Sequence, residues 1–125
     1  MKGSIMEPHA KLYILSGKDE GFFGDGKWRL LMAVREHGSI QEAARELGRG
    51  YRKAWGDIKN AEEAFGRTIV KKTRGGSAGG ATELTEFGIH LLDAWEKYRT
   101  EVSSCMSGAF EKHMKPVLGG MDDER

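Results

Sequence analysis

Residues 38–85 read GSIQEAARELGRGYRKAWGDIKNAEEAFGRTIVKKTRGGSAGGATELT, and the order of patterns within them decides the fold. Ser39 opens a first helical pattern, and Glu42 completes the Ser-x-x-Glu capping box, in which each side chain satisfies the other residue's backbone N–H. Ile40, Ala43, Ala44 and Leu47 recur at helical spacing as its buried face. The alanines permit close approach of the next helix. Gly48 supplies the left-handed backbone that a tight inter-helix turn needs. A second pattern runs from about Tyr51 to Phe65, with Ala54, Ile58, Ala61 and Phe65 on its inner side, and Gly66 ends it. A basic, β-branched strand (Thr68–Lys72), a glycine-rich loop (Thr73–Gly80) and a return strand (Ala81–Leu84) follow. That succession is a helix-turn-helix with a β-hairpin wing, so the fold expected is mainly α with a small β component.

On the N-terminal side, Ala10–Ser16 is an apolar short strand, and Phe22-Phe23 pairs back onto it after the turn at 17–21. Asp25 is the expected N-cap of a helix reaching His37, with Trp28, Leu31 and Val34 at helical spacing and Gly38 as its stop. On the C-terminal side, Thr85 caps a long final helix. Leu91, Trp95, Tyr98, Val102, Cys105 and Ala109 step by 4, 3, 4, 3 and 4 along it, a heptad seam that packs on the domain's own core or, the reading favoured by its length, pairs with a second copy of the chain. Leu91, Trp95, Tyr98 and Val102 are its candidate dimerisation residues. One domain is expected over residues 10–112, between a mobile N-terminus (1–9) and a mobile tail (113–125).

The chain has 125 residues, 38% hydrophobic and 31% charged, and one cysteine, which excludes an internal disulfide and a cysteine-based zinc cluster. No apolar run approaches the ~18 residues of a membrane span and no leader pattern is present, so a cytoplasmic protein without a membrane partner is expected. Net charge is only +1, but its distribution is uneven. Residues 49–80 hold Arg49, Arg52, Lys53, Lys59, Arg67, Lys71, Lys72 and Arg74 against Asp57, Glu62 and Glu63, and the remainder of the chain is net acidic.

Positive charge therefore gathers on the elements that would meet duplex DNA. A recognition helix offers side chains from its first turn to the major groove, and here that turn carries Tyr51, Arg52 and Lys53. Arginine can hold guanine O6 and N7 with two hydrogen bonds, while Tyr51 can reach a phosphate or a thymine methyl or else pack on the preceding helix. Trp55 is read as a packing residue more than as a base reader. Gly56, costly within a helix, admits a close backbone approach. Lys71, Lys72 and Arg74 lead into the small loop Gly75-Gly76-Ser77, suited to a phosphate backbone or a minor groove. With Arg49 and Lys59 these are the candidate DNA-contacting residues.

Other chemistries find little support. Gly75 and Gly80 have the spacing of a phosphate loop, but Ala81-Thr82 stands where Lys-Ser/Thr is required. His9, His37, His90 and His113 are scattered without metal-ligand spacing, and no nucleophile–base pair can be assembled. No enzymatic activity, metal or cofactor is expected. A winged-helix protein-interaction module is the alternative.

Gly38-Ser39-Ile40, Ala43-Ala44, Tyr51-x-x-Ala54-Trp55, Arg74-Gly75-Gly76-x-x-Gly79-Gly80 and Leu84-Thr85-x-x-Gly88 together resemble the N-terminal DNA-binding domain of the ModE family of molybdate-dependent transcription regulators. The helix-turn-helix alone is also similar to that of LysR-type regulators. The resemblance covers about Lys11 to Tyr98. It implies a winged helix-turn-helix that dimerises through terminal helices on a palindromic operator, with Tyr51, Arg52 and Lys53 starting the recognition helix and Arg74–Gly80 on the wing. Two departures stand out: Gly50 replaces the family's capping serine, and Arg49 an apolar turn residue. The family's C-terminal oxyanion-binding domains find no counterpart in the 125 residues, so molybdate sensing is not expected of them and a separate effector-sensing partner is a further expectation.

Overall fold

The structure, a computed structural model, describes residues 6–17, 21–73 and 81–123. Its elements are β1 (Tyr13–Leu15), β2 (Gly21–Gly24), α1 (Asp25–His37), α2 (Ile40–Glu46), α3 (Tyr51–Phe65), β3 (Val70–Thr73), β4 (Ala81–Leu84), α4 (Glu86–His113) and α5 (Lys115–Asp123). Two antiparallel pairs, β1–β2 and β3–β4, flank the three-helix centre in sequence. Lys11–Trp95 form one compact unit, and the described residues on either side of it, 6–10 and 96–123, belong to a second. The winged helix-turn-helix is the first of these.

The punctuation is local. Gly38, Gly48 and Gly66 adopt φ of 74°, 67° and 72°, and each closes a helix or inter-helix turn in the left-handed region that glycine occupies at least cost. Ser39 Oγ accepts from Glu42 N at 2.9 Å, one half of the predicted capping box, while the Glu42 carboxylate lies 3.5 Å from Arg45. Thr85 Oγ1 accepts from Gly88 N at 3.0 Å and caps α4.

The core is built from one face of each helix. Leu30, Leu31, Ala33 and Val34 of α1, Ile40, Ala43 and Ala44 of α2, and Ala54, Ile58 and Ala61 of α3 are all buried, joined by Phe23, Ile69, Leu84, Leu92 and Trp95. Phe23 meets Trp95 edge-on at 5.0 Å and Phe65 at 5.7 Å, and Phe65 also meets Phe22 and Phe87, the geometry that ring quadrupoles favour.

Both predicted strands on the N-terminal side of a hairpin are shorter than their apolar patterns. Leu12 lies outside β1 because its N–H donates to Asp25 Oδ2 at 3.3 Å and its carbonyl accepts from Asp25 N at 3.1 Å. Asp25 is thus the first helical residue and not the N-cap, which is Gly24. Its carboxylate is 5% exposed and also accepts from Trp95 Nε1 at 2.9 Å, so it joins residues 70 positions apart. Thr68 and Ile69 lie outside β3 because other groups hold their backbone. Ile69 N donates to Glu62 Oε2 at 2.7 Å, Thr68 O accepts from Thr85 Oγ1 at 2.8 Å, and Ile69 O accepts from Thr85 N at 2.8 Å.

In β3–β4, Val70 faces Leu84, Lys71 faces Glu83, Lys72 faces Thr82 and Thr73 faces Ala81. Thr82 N donates to Gly38 O at 2.8 Å, which ties β4 to the α1–α2 turn. The predicted loop residues Arg74–Gly80 lie outside the described residues.

Beyond α4, α5 spans Lys115–Asp123, with Met114 N donating to Phe110 O at 2.8 Å and Leu118 N to Met114 O at 3.0 Å. The acidic, glycine-containing composition concealed that continuation. Among the described residues, no helix is long and apolar enough to cross a membrane.

Candidate nucleic-acid interface

Helix α3 buries Ala54, Ile58 and Ala61 and so turns its other side outward. At its first turn Tyr51 is 48% exposed, and Arg52 and Lys53 are exposed beside it. Gly50 occupies the N-cap with extended backbone and offers no side-chain acceptor. Arg52 has no ion pair among the described residues.

Arg49 differs. Its Nη1 lies 3.3 Å from Asp57 Oδ2, its Nη2 donates to Gly26 O at 3.5 Å, and its side chain is only 25% exposed. These contacts tie the inter-helix turn to α3 and α1, so its guanidinium is already engaged within the fold. Lys53 Nζ lies 3.5 Å from the same carboxylate but remains 72% exposed. Lys27 of α1 donates to Phe22 O at 2.9 Å. Burial holds its ammonium below the usual lysine range, with Asp57 pulling the other way and Lys53 adding to the depression. Asp57 therefore organises cations from α1, the turn and α3. The sequence pattern marks it only as one acid among basic residues.

The remaining cations are partly paired. Lys59 Nζ is 3.2 Å from Glu62 Oε1 and 4.9 Å from the Trp55 ring centroid. Lys71 Nζ is 3.8 Å from Glu83 Oε2, its cross-strand neighbour. Lys72 is exposed, with no acidic partner among the described residues. Arg74, Gly75, Gly76 and Ser77 lie outside the described residues. Trp55, read from sequence as a packing residue more than a base reader, is 41% exposed, three positions after Arg52 and four before Lys59.

Glu62 enters the sequence reading only as one of three acids among the basic residues of 49–80. It is 8% exposed, and its Oε2 accepts from Ile69 N at 2.7 Å and Val70 N at 3.2 Å. The carboxylate thereby fixes the start of β3 to the end of α3, and so sets where Lys71 and Lys72 stand relative to the first turn of that helix. No spacing rule reveals this, because the bond forms only when the chain folds back at Gly66.

The heptad seam is divided. Trp95 is 4% exposed and packs in the unit's own core, one of the two packings open to the seam: its ring meets Phe23 and its Nε1 the Asp25 carboxylate. Leu91 and Val102 are half-buried, Tyr98 is 51% exposed and Cys105 is exposed.

A histidine cluster also escaped the spacing argument. Glu36, His37 and Glu46 bring one ligand atom each within 4.8 Å of one another, all on exposed side chains. His37 Nε2 lies 2.5 Å from Glu46 Oε1, and that hydrogen bond raises the imidazole above its usual range.

Residues 26–89 match the family model described as bacterial regulatory helix-turn-helix protein, lysR family. The chain is 32% identical over 98 residues to the molybdenum-pterin-binding protein MopA of Rhodobacter capsulatus, covering 78% of this chain and 34% of that protein. It is 30% identical over 96 residues to the molybdenum transport protein ModE of Azotobacter vinelandii, covering 77% and 35%. The chain thus spans about a third of the length of these curated relatives. Among solved structures, ArgP from Mycobacterium tuberculosis superposes with a TM-score of 0.50 at 24% identity, over 68% of this chain and 30% of that one, a likeness of fold alone. Matched from residue 26 to residue 89, the chain belongs to the bacterial regulatory helix-turn-helix proteins of the lysR family, and its unit is ModE-like.

Proposed function

We propose that the chain binds duplex DNA as a transcription regulator, with the first turn of α3 in the major groove and β3 along the flanking backbone. The observation that carries this reading is the exposed Tyr51-Arg52-Lys53 turn on a helix whose opposite side is buried, with Lys71 and Lys72 held on β3 by the Glu62 carboxylate. Relatives named as transcription regulators, such as ModE of Haemophilus influenzae, support it. Arg52 is the base reader and Lys72 a phosphate contact; Arg49 keeps the turn in place. The regulator acts as a homodimer through Leu91, Tyr98 and Val102 of α4, placing two α3 helices in successive major grooves ~34 Å apart.

Replacing Arg52 by alanine should weaken binding to selected genomic fragments by about 1–3 kcal/mol while leaving random duplex nearly unaffected. Equal losses on both in a mobility-shift titration would remove Arg52 from base reading. Lys72→Ala should weaken both kinds of duplex alike and lower the log–log salt slope by about 1. An unchanged slope would leave β3 without a phosphate contact. Failure of the unaltered protein to bind any duplex at low salt would favour a protein-interaction module instead.

A further inference from the structure

Trp55 has an uncommon position for the largest side chain. It is 41% exposed on the outward side of α3, and Lys59 stacks over its ring at 4.9 Å. Beside it lies a small apolar cleft of about 100 Å³, with Ile40, Ile58 and Val70 beneath and Lys71 and Lys72 at its edge. Ile40 and Ile58 are 6% and 2% exposed, so the cleft has a firm apolar base. Thr82, opposite Lys72 in the register, is 9% exposed and closes its far side. Gly56 follows the tryptophan, and a Cβ built there meets nothing within 4 Å, so the backbone next to the indole stands open to an approaching molecule.

An apolar slot bordered by cations asks for a ligand with a matching division. A deoxyribose–phosphate unit has one, since its ring presents C–H groups to the indole and its phosphate an anion to the lysines. The slot also lies between α3 and β3, the two elements assigned to the groove and the backbone, so a strand passing from one to the other crosses it. We propose that Trp55 and this cleft seat one sugar–phosphate of the bound duplex, a sequence-independent contact that fixes how deeply α3 enters the groove. The inference rests on the DNA-binding reading above. It gives α3 a second role besides base reading, carried by an aromatic residue instead of an additional cation.

Fluorescence and affinity together test it. Trp95 is 4% exposed, Trp28 is half-buried and Trp55 is 41% exposed, so acrylamide should quench Trp55 preferentially. Saturation with random-sequence duplex at low salt should remove that quenchable component, and Trp55→Phe should lack it with or without DNA. Trp55→Ala should bind random duplex and selected genomic fragments more weakly by the same factor, about tenfold, which is ~1.4 kcal/mol. Three results would overturn the proposal: a Trp55 still quenched when the protein is saturated, unchanged affinity in Trp55→Ala, or a loss confined to selected fragments, which would put the indole on a base edge. A greater loss on the matching single strand than on duplex would also overturn it, in favour of base stacking. If the unaltered, folded protein binds no duplex, the DNA-binding reading itself fails, an outcome distinct from a wild type that binds and a Trp55→Ala variant that binds equally well.

Discussion

Glu62→Ala should lower the free energy of unfolding by about 3 kcal/mol, because two backbone donors lose their acceptor inside the fold and each costs ~1–3 kcal/mol when left unpaired. Ile69 N is buried with its partner at 2.7 Å, and Val70 N is part-buried at 3.2 Å. The ion pair with Lys59 adds little, since that lysine is about half exposed. Urea melts followed by circular dichroism give the comparison. Glu62→Gln retains one side-chain oxygen as acceptor and should recover part of the loss. A change below ~1 kcal/mol in the alanine variant would mean that water replaces the carboxylate at the Gly66 turn. The variant should also lose affinity for DNA beyond what its folded fraction explains, because β3 would no longer be fixed to α3.

Gly88→Ala should destabilise the unit by about 2 kcal/mol, although alanine is the better helix former by up to ~1 kcal/mol. A Cβ at this position would stand 2.4 Å from the Ile69 carbonyl oxygen and 3.2 Å from Ile69 Cγ2. That carbonyl cannot withdraw cheaply, since it accepts from Thr85 N at 2.8 Å in the cap of the same helix. Gly56→Ala is the matched contrast: it lies within α3 with nothing inside 4 Å of the added carbon, and should stabilise by roughly 0.5–1 kcal/mol. The same chemical change should thus shift the thermal midpoint in opposite directions at the two sites. A Gly88→Ala variant as stable as the parent would show that the start of α4 can slide away from Ile69.

These two residues mark what the sequence discloses. The Leu84-Thr85-x-x-Gly88 pattern is visible in one dimension, but its cause, a helix turn pressed on a carbonyl nineteen positions earlier, is a tertiary fact. Helix ends were legible because Ser39, Gly48, Gly66 and Thr85 act on neighbours within a few residues. The central stripe of α3 was legible because its period matches the helix. Asp25 was misread as a cap because its partner Trp95 is 70 positions away, and the same bond withdrew Trp95 from the seam to which its spacing assigned it. Trp55 was read inward because apolar bulk usually is, and only the fold shows an indole left outside a core that Ala54, Ile58 and Ala61 already complete. Basic residues were easy to count, but their availability was not. Asp57 engages Arg49 and Lys53, whereas Arg52 keeps its charge outward.

The hydrogen bond from Thr82 to the Gly38 carbonyl has a mechanical meaning. It ties β4 to the α1–α2 turn while the Glu62 bonds tie β3 to α3, so the distance between β3 and α3 acts as a gauge. On the proposed reading a duplex must come to that gauge, because the protein does not open to meet it. Sites whose groove width already fits, or whose base steps yield easily, are then favoured without being touched, and selectivity is exerted in part through the stiffness of the DNA.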